Sequence, residues 1–200
     1  MQLSEYLSYG KFYHIYNRGI DGCDLFKGNE NCEYFLNLYD QHISPIADTF
    51  AWVLMKNHFH LLVRIKAEED IKNLEGFRNL QGLKLHQPFS NLFNAYAKAF
   101  NKQNKRTGSL FEHPFHRKLI SDIEQFKRVV IYIHNNPMHH NITKNAMDYR
   151  WSSYLTFISL KPTHLQREEV LGWFDNEAKF KSAHNNDEND IELEKWFGLP

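Results

Sequence analysis

Thr49–Lys66 reads TFAWVLMKNHFHLLVRIK, two runs of aromatic, β-branched and aliphatic residues separated only by Lys56-Asn57. So short a connection leaves room for little but a hairpin, which makes the two runs adjacent antiparallel strands. Side chains alternate faces along a strand. Phe59, Leu61, Val63 and Ile65 therefore point one way, into a core, and His58, His60, Leu62, Arg64 and Lys66 point the other.

Working outward, Phe12–Arg18 (FYHIYNR) reads as a strand stopped by Gly19, and Asn31–Ile43 as a helix that Pro45 terminates. Phe89, Leu92, Phe93, Tyr96 and Phe100 recur at helical spacing and predict a helix over Ser90–Gln103. Asn101–Ser109 (NKQNKRTGS) reads as a polar, basic loop and His116–Ile120 as a fourth strand. A second strong helix runs from an N-cap at Asp122 to Asn136, where Pro137 ends it, and Trp151–Ile158 is a further short helix. The order β-α-β-β-α-β-α predicts an α+β, ferredoxin-like sandwich with an antiparallel sheet. Beyond Lys161-Pro162 the chain is polar, acidic and helix-prone, so residues 1–158 read as the domain and 159–200 as a C-terminal helical extension outside its core.

With 42% hydrophobic and 15% aromatic residues, the 200-residue chain can fill a core, which excludes wholesale disorder. No apolar run is long enough for a bilayer and residues 1–20 carry no signal-peptide pattern, so a cytoplasmic protein without a membrane partner is expected. Two cysteines, Cys23 and Cys32, support neither a disulfide scaffold nor a cysteine zinc site. The net charge of zero hides an asymmetry: residues 81–120 carry +6 and residues 165–200 carry −5. The basic segment, with Lys98, Lys102, Lys105, Arg106, Arg117 and Lys118, fits a phosphate-binding face and fits a solvated helix nearly as well.

Two segments hold residues capable of chemistry. His58 and His60 project from one strand face at a spacing that suits one metal ion, although a polar strand face is the commoner meaning of such a pair. In the helix, Ile123, Phe126, Val129, Val130 and Ile133 form an apolar stripe, while Arg128, Tyr132 and Asn136 follow one another up its side at i, i+4 and i+8. By spacing alone Tyr132 is a boundary tyrosine with its hydroxyl in water.

Together the segments match a known pattern. Met55-Lys56-Asn57-His58-Phe59-His60-Leu61-Leu62-Val63 resembles the His-hydrophobe-His (HUH) motif of single-tyrosine transposases of the IS200-like class. Tyr132-Ile133-His134-Asn135-Asn136-Pro137 resembles the nucleophile helix of their REP-associated branch. Gly108-Ser109-Leu110-Phe111, His116-Arg117-Lys118-Leu119, Tyr13-His14-Ile15 with Arg18-Gly19, and Trp151-Ser152-Ser153-Tyr154 look like further motifs of that family in the family's order. Lys56 stands where the branch commonly has proline, a departure that touches the hairpin turn. The resemblance implies a ferredoxin-like fold and metal-dependent cleavage and strand transfer of single-stranded DNA, of a hairpin-forming kind, through a covalent 5′-phosphotyrosine. It implies Tyr132 as nucleophile, His58, His60 and Asn136 as ligands of Mg²⁺ or Mn²⁺, and DNA contacts from the basic segment with Arg18 and Arg128. A monomer or homodimer at the prokaryotic nucleoid is implied too. The same fold without catalysis, as a DNA-hairpin-binding protein, is the alternative, and a water-using metal nuclease with a structural Tyr132 is a third.

Overall fold

The computed structural model describes residues 5–72 and 84–185. Its strands are β1 (Phe12–Arg18), β2 (Ala47–Leu54), β3 (His58–Ile65) and β4 (His116–Ile120). They form one antiparallel sheet in the order β2-β3-β1-β4. The expected hairpin is β2 and β3, in register from Ala47↔Ile65 to Leu54↔Phe59 and closed by Met55 N–H donating to His58 O at 2.8 Å. A bulge between Thr49 and Ala51 shifts the alternation of β2. It sends Phe50, Ala51 and Val53 to one face, and Trp52 and Leu54 to the other.

Helices α1 (Asn29–His42) and α3 (Gln87–Gln103) cover the face carrying Tyr13, Ile15, Phe59, Leu61, Val63 and Ile65. Both start slightly earlier than the periodicity predicts. At α1, the Asn31 side-chain oxygen accepts from the backbone N–H of Lys27 and Gly28, so Asn31 serves the first turn rather than starting it. At α3, Pro88 occupies the first turn, where its missing N–H costs nothing. A short helix α2 (Glu68–Lys72) follows β3.

The other sheet face is not left to water. Helix α4 (Ile123–His139), capped by the Asp122 carboxylate accepting from Gln125 N–H, lies across it with α5 (Tyr154–Phe157), α6 (Arg167–Trp173) and α7 (Glu177–Asn185). Phe50, Val53 and Leu62 of the sheet join Val129, Val130, Ile133, Val170 and Phe180 in a second core. The chain from 159 to 185 thus supplies core residues, because Val170, Phe174 and Phe180 interrupt its polar composition with an apolar set. Arg64, stacked over Phe12 and Phe50, also pairs with Glu169 of α6 at 3.3 Å. Helix α4 does not end at Pro137 as expected. A proline loses only the bond to the carbonyl four residues back, and His140 N–H still donates to Asn136 O at 3.1 Å, completing the last turn. Among the described residues, no helix is long and apolar enough to cross a membrane.

Candidate active site

Strand register sets the site. Tyr16 pairs with His60 on one side and His116 on the other, Arg18 pairs with His58, and His14 pairs with Leu62 and Lys118. Cross-strand partners share a face, so these residues form three rows on the side that α4 covers. The last turns of α4 then bring Tyr132, Asn136, His139 and His140 onto them.

The four residues singled out by sequence come together. His58 Nδ1 lies 2.8 Å from the Asn57 side-chain oxygen and Nε2 lies 2.8 Å from Asn136 Oδ1, so the one hydrogen of the neutral ring serves one of two acceptors. The His58 and His60 rings are 5.2 Å apart, and the Tyr132 ring sits edge-on to His60 at 5.4 Å. Behind His60 stands His14, its Nε2 3.0 Å from His60 Nδ1.

Two expectations change. Tyr132 is no boundary residue: it is 3% exposed. Tyr132 and Asn136 of the polar line face the histidine rows, not solvent, because the sheet's second face is a packed layer, while Arg128 of the same line is exposed. For the same reason His60 is 2% exposed rather than projecting from an open strand face.

Burial sets the protonation. It pushes the His58 imidazole down to about 4, against the opposing pull of its Asn136 contact, and holds His60 well below the usual imidazole range, with the neighbouring histidines adding to the effect. Both rings are neutral at pH 7 and able to act as ligands. Burial pushes the neighbouring Tyr16 phenol up to about 12, so it keeps its proton. Two ligands at right angles around an octahedral Mg²⁺, each about 2.1 Å away, lie about 3 Å apart. His58 Nε2 and Asn136 Oδ1, 2.8 Å apart, match that spacing, so this pair fits two neighbouring positions of such a cation. Among the described residues no group of three or more His, Cys, Asp or Glu is placed to hold a metal ion, so the candidate set is two imidazoles and an amide.

The basic residues do not share one surface. Arg18, bonded through Nε to Glu112 at 2.5 Å, and Lys118 lie on the site face. Arg117 faces the opposite side, beside Phe115 at 4.8 Å, with its Nε donating to Glu5 O. Lys98 and Lys102 belong to α3, in the other layer. Arg106 holds the loop after α3 together through Asn101 and Ser109, next to Lys105, and Arg128 is exposed on α4. Sequence reasoning missed His14, His116, Glu112, His139 and His140. Strand alternation carried the signal for two of them, since His14 is in phase with Tyr16 and Arg18, and His116 with Lys118.

No protein-family model matches the chain, and no curated protein does. The architecture, however, has a counterpart among solved structures. A REP-associated tyrosine transposase bound to a REP hairpin aligns with TM-score 0.60 and 14% identity, over 81% of this chain and 88% of that one. The fold is that of a REP-associated tyrosine transposase. At 14% identity the likeness to the transposase is one of backbone, and the roles of individual residues rest on the geometry above.

Proposed function

We propose that the protein is a DNA endonuclease and strand-transfer enzyme of the single-tyrosine class, acting on hairpin-forming single-stranded DNA. The observation that carries this is the meeting of buried Tyr132, His60 and Asn136 with half-buried His58 in one cluster, built from two separate elements of a transposase-like fold. When bound by His58, His60 and Asn136, Mg²⁺ or Mn²⁺ would polarise the scissile phosphate and offset its developing charge.

Tyr132 Oη gives up its proton and attacks phosphorus. An O–P bond to the tyrosine forms, the P–O3′ bond breaks, and the departing 3′ oxygen takes up a proton. The 5′ end remains on the protein as a phosphotyrosine, which keeps the ester's energy. Attack by a 3′-OH reverses the step and joins strands, and Tyr132 recovers its proton. Arg18 and Lys118, on the same sheet face, would hold flanking phosphates.

The burial of Tyr132 and His60 favours one other reading, hairpin binding without cleavage, since a phosphate must displace part of the covering α4 end to reach them. Incubation with Mn²⁺ and an end-labelled single-stranded hairpin separates the two. A covalent adduct mapped to Tyr132 by peptide mass spectrometry, and lost in Tyr132→Phe, is the expected result. Binding with no adduct leaves the hairpin-binding reading. Cleavage with no adduct, surviving in the Phe variant, would mean that water is the nucleophile.

A further inference from the structure

The two imidazoles of His58-Phe59-His60 are held in the same manner from behind. His58 Nδ1 faces the Asn57 oxygen and its Nε2 faces Asn136 Oδ1, both acceptors, so Nε2 offers a lone pair only in the tautomer whose Nδ1–H donates to Asn57. His60 is likewise held through Nδ1, here by His14 Nε2 at 3.0 Å. The His14 and His60 rings have centroids 5.1 Å apart and planes within 10°. With nitrogens 3.0 Å apart, these are two rings side by side sharing one hydrogen in their common plane, not one ring lying on the other. His14 is fully buried, and its ring also stacks on Tyr16 at 4.9 Å.

One hydrogen between the two nitrogens allows two arrangements. In one, His60 Nδ1–H donates to His14, whose own hydrogen then sits on its buried Nδ1, and His60 Nε2 carries a lone pair. In the other, His14 Nε2–H donates to His60 and His60 Nε2 becomes an N–H, which cannot ligate a cation. We propose that His14 is a positioning residue for His60: it accepts the Nδ1–H, fixes that tautomer and ring orientation, and so aims a lone pair from Nε2 alongside that of His58. An imidazole here takes the place that a carboxylate or carbonyl commonly fills behind a ligating histidine. The cation side of this inference rests on the function proposed above, whereas the tautomer is a property of the metal-free protein.

The test uses the full chain labelled with ¹⁵N-histidine and long-range ¹H–¹⁵N NMR in the absence of metal. His60 is expected as the Nδ1–H tautomer in the wild type. His14→Phe, which keeps a buried ring but offers no acceptor, is expected to lose that preference and to weaken Mn²⁺ binding, read by calorimetry, by about 10–100-fold. His14→Gln, whose amide oxygen accepts the same hydrogen, is expected to restore the tautomer and to bind Mn²⁺ within a few-fold of wild type. Circular dichroism and thermal melts check that both variants fold, and a purely structural His14 would move the melts alone. An Nε2–H His60 in the wild type, or an unchanged tautomer and Mn²⁺ affinity in His14→Phe, would overturn the proposal. If the wild type binds no Mn²⁺, the cation part of the proposed function fails, and the tautomer measurement alone decides the role of His14.

Discussion

Truncating His184 to Ala is expected to lower stability by about 3–5 kcal/mol, although it lies in the polar segment after residue 158. Its proton positions follow from its partners. His184 Nδ1 faces the Phe180 carbonyl at 2.8 Å and must donate, so Nε2 accepts from His134 Nδ1–H at 2.9 Å. His134 Nε2 then accepts from the Ser153 hydroxyl at 2.8 Å, and Ser153 Oγ accepts from Trp52 N–H at 2.9 Å. This chain of neutral groups crosses from α7 through α4 to β2, and Asn135 adds a bond from its side-chain amide to His184 O at 2.9 Å. Burial holds the His134 imidazole well below its usual range, so that ring stays neutral at pH 7.

The magnitude has two parts. His184→Ala leaves His134 Nδ1–H and the Phe180 carbonyl to lose a partner inside the core, at about 1–3 kcal/mol for an unsatisfied buried group. It also removes a ring that is 2% exposed and packs 4.2 Å from the Phe180 ring, at about 2 kcal/mol or more for the cavity. For a chain of this size, each kcal/mol moves Tm by about 2–4 °C, so a drop of about 6–20 °C is expected. His184→Phe keeps ring volume and removes only the nitrogens, so it should recover part of the loss. Urea melts and calorimetry of the two variants separate bonding from packing. A drop of under about 3 °C for His184→Ala would refute the reasoning and show α7 to be loosely attached.

Four further outcomes follow from the same geometry. Tyr132→Phe is expected to abolish the adduct while costing only about 1 kcal/mol, since a hydroxyl is removed and the ring stays; a collapse in Tm would make loss of activity uninformative. His60→Ala is expected to destabilise by about 2 kcal/mol or more, because the side chain is buried in the second layer, and an unchanged melt would contradict that burial. Acid is expected to destabilise the protein: burial pushes His14 down to about 3 from 6.5, so the unfolded chain binds the extra proton as pH falls below 6.5, and stability present above that pH is lost. For His14 alone the loss between pH 7 and pH 5 is about 2 kcal/mol, with His60 and His134 adding in the same direction, and flat urea midpoints over that range would exclude it. Lys118→Gln is expected to reduce the slope of log K against log salt for hairpin DNA by about one, whereas Arg117→Gln, on the opposite face, should change it less; the reverse order would put the DNA on the α3 side.

What the sequence revealed and what it hid divide along one physical line. Strand alternation and helical spacing are properties of single elements, so the hairpin, the face shared by His58 and His60, and the polar line from Arg128 to Asn136 were all legible. Whether a polar-looking face is then covered depends on what packs against it, which no local pattern states. The β3 face with His60 and Leu62 reads as half-solvated until α4 is laid on it, and α4 in turn reads as having one apolar stripe until α6 and α7 close its flank. The cover had a trace in the chain: Phe180 and His184 are one turn apart, as are Val170 and Phe174, but nine acids averaged them away. Burial of Tyr132 follows from that unseen layer. The burial also changes what the tyrosine needs, because a nucleophile in water needs only a base, whereas one at 3% exposure also needs a path for the phosphate. The end of α4 supplies the natural place for such a path: Pro137 has already removed one helical bond there, and the His139 ring, 5.8 Å from Tyr132, lies in the last turn, beyond it.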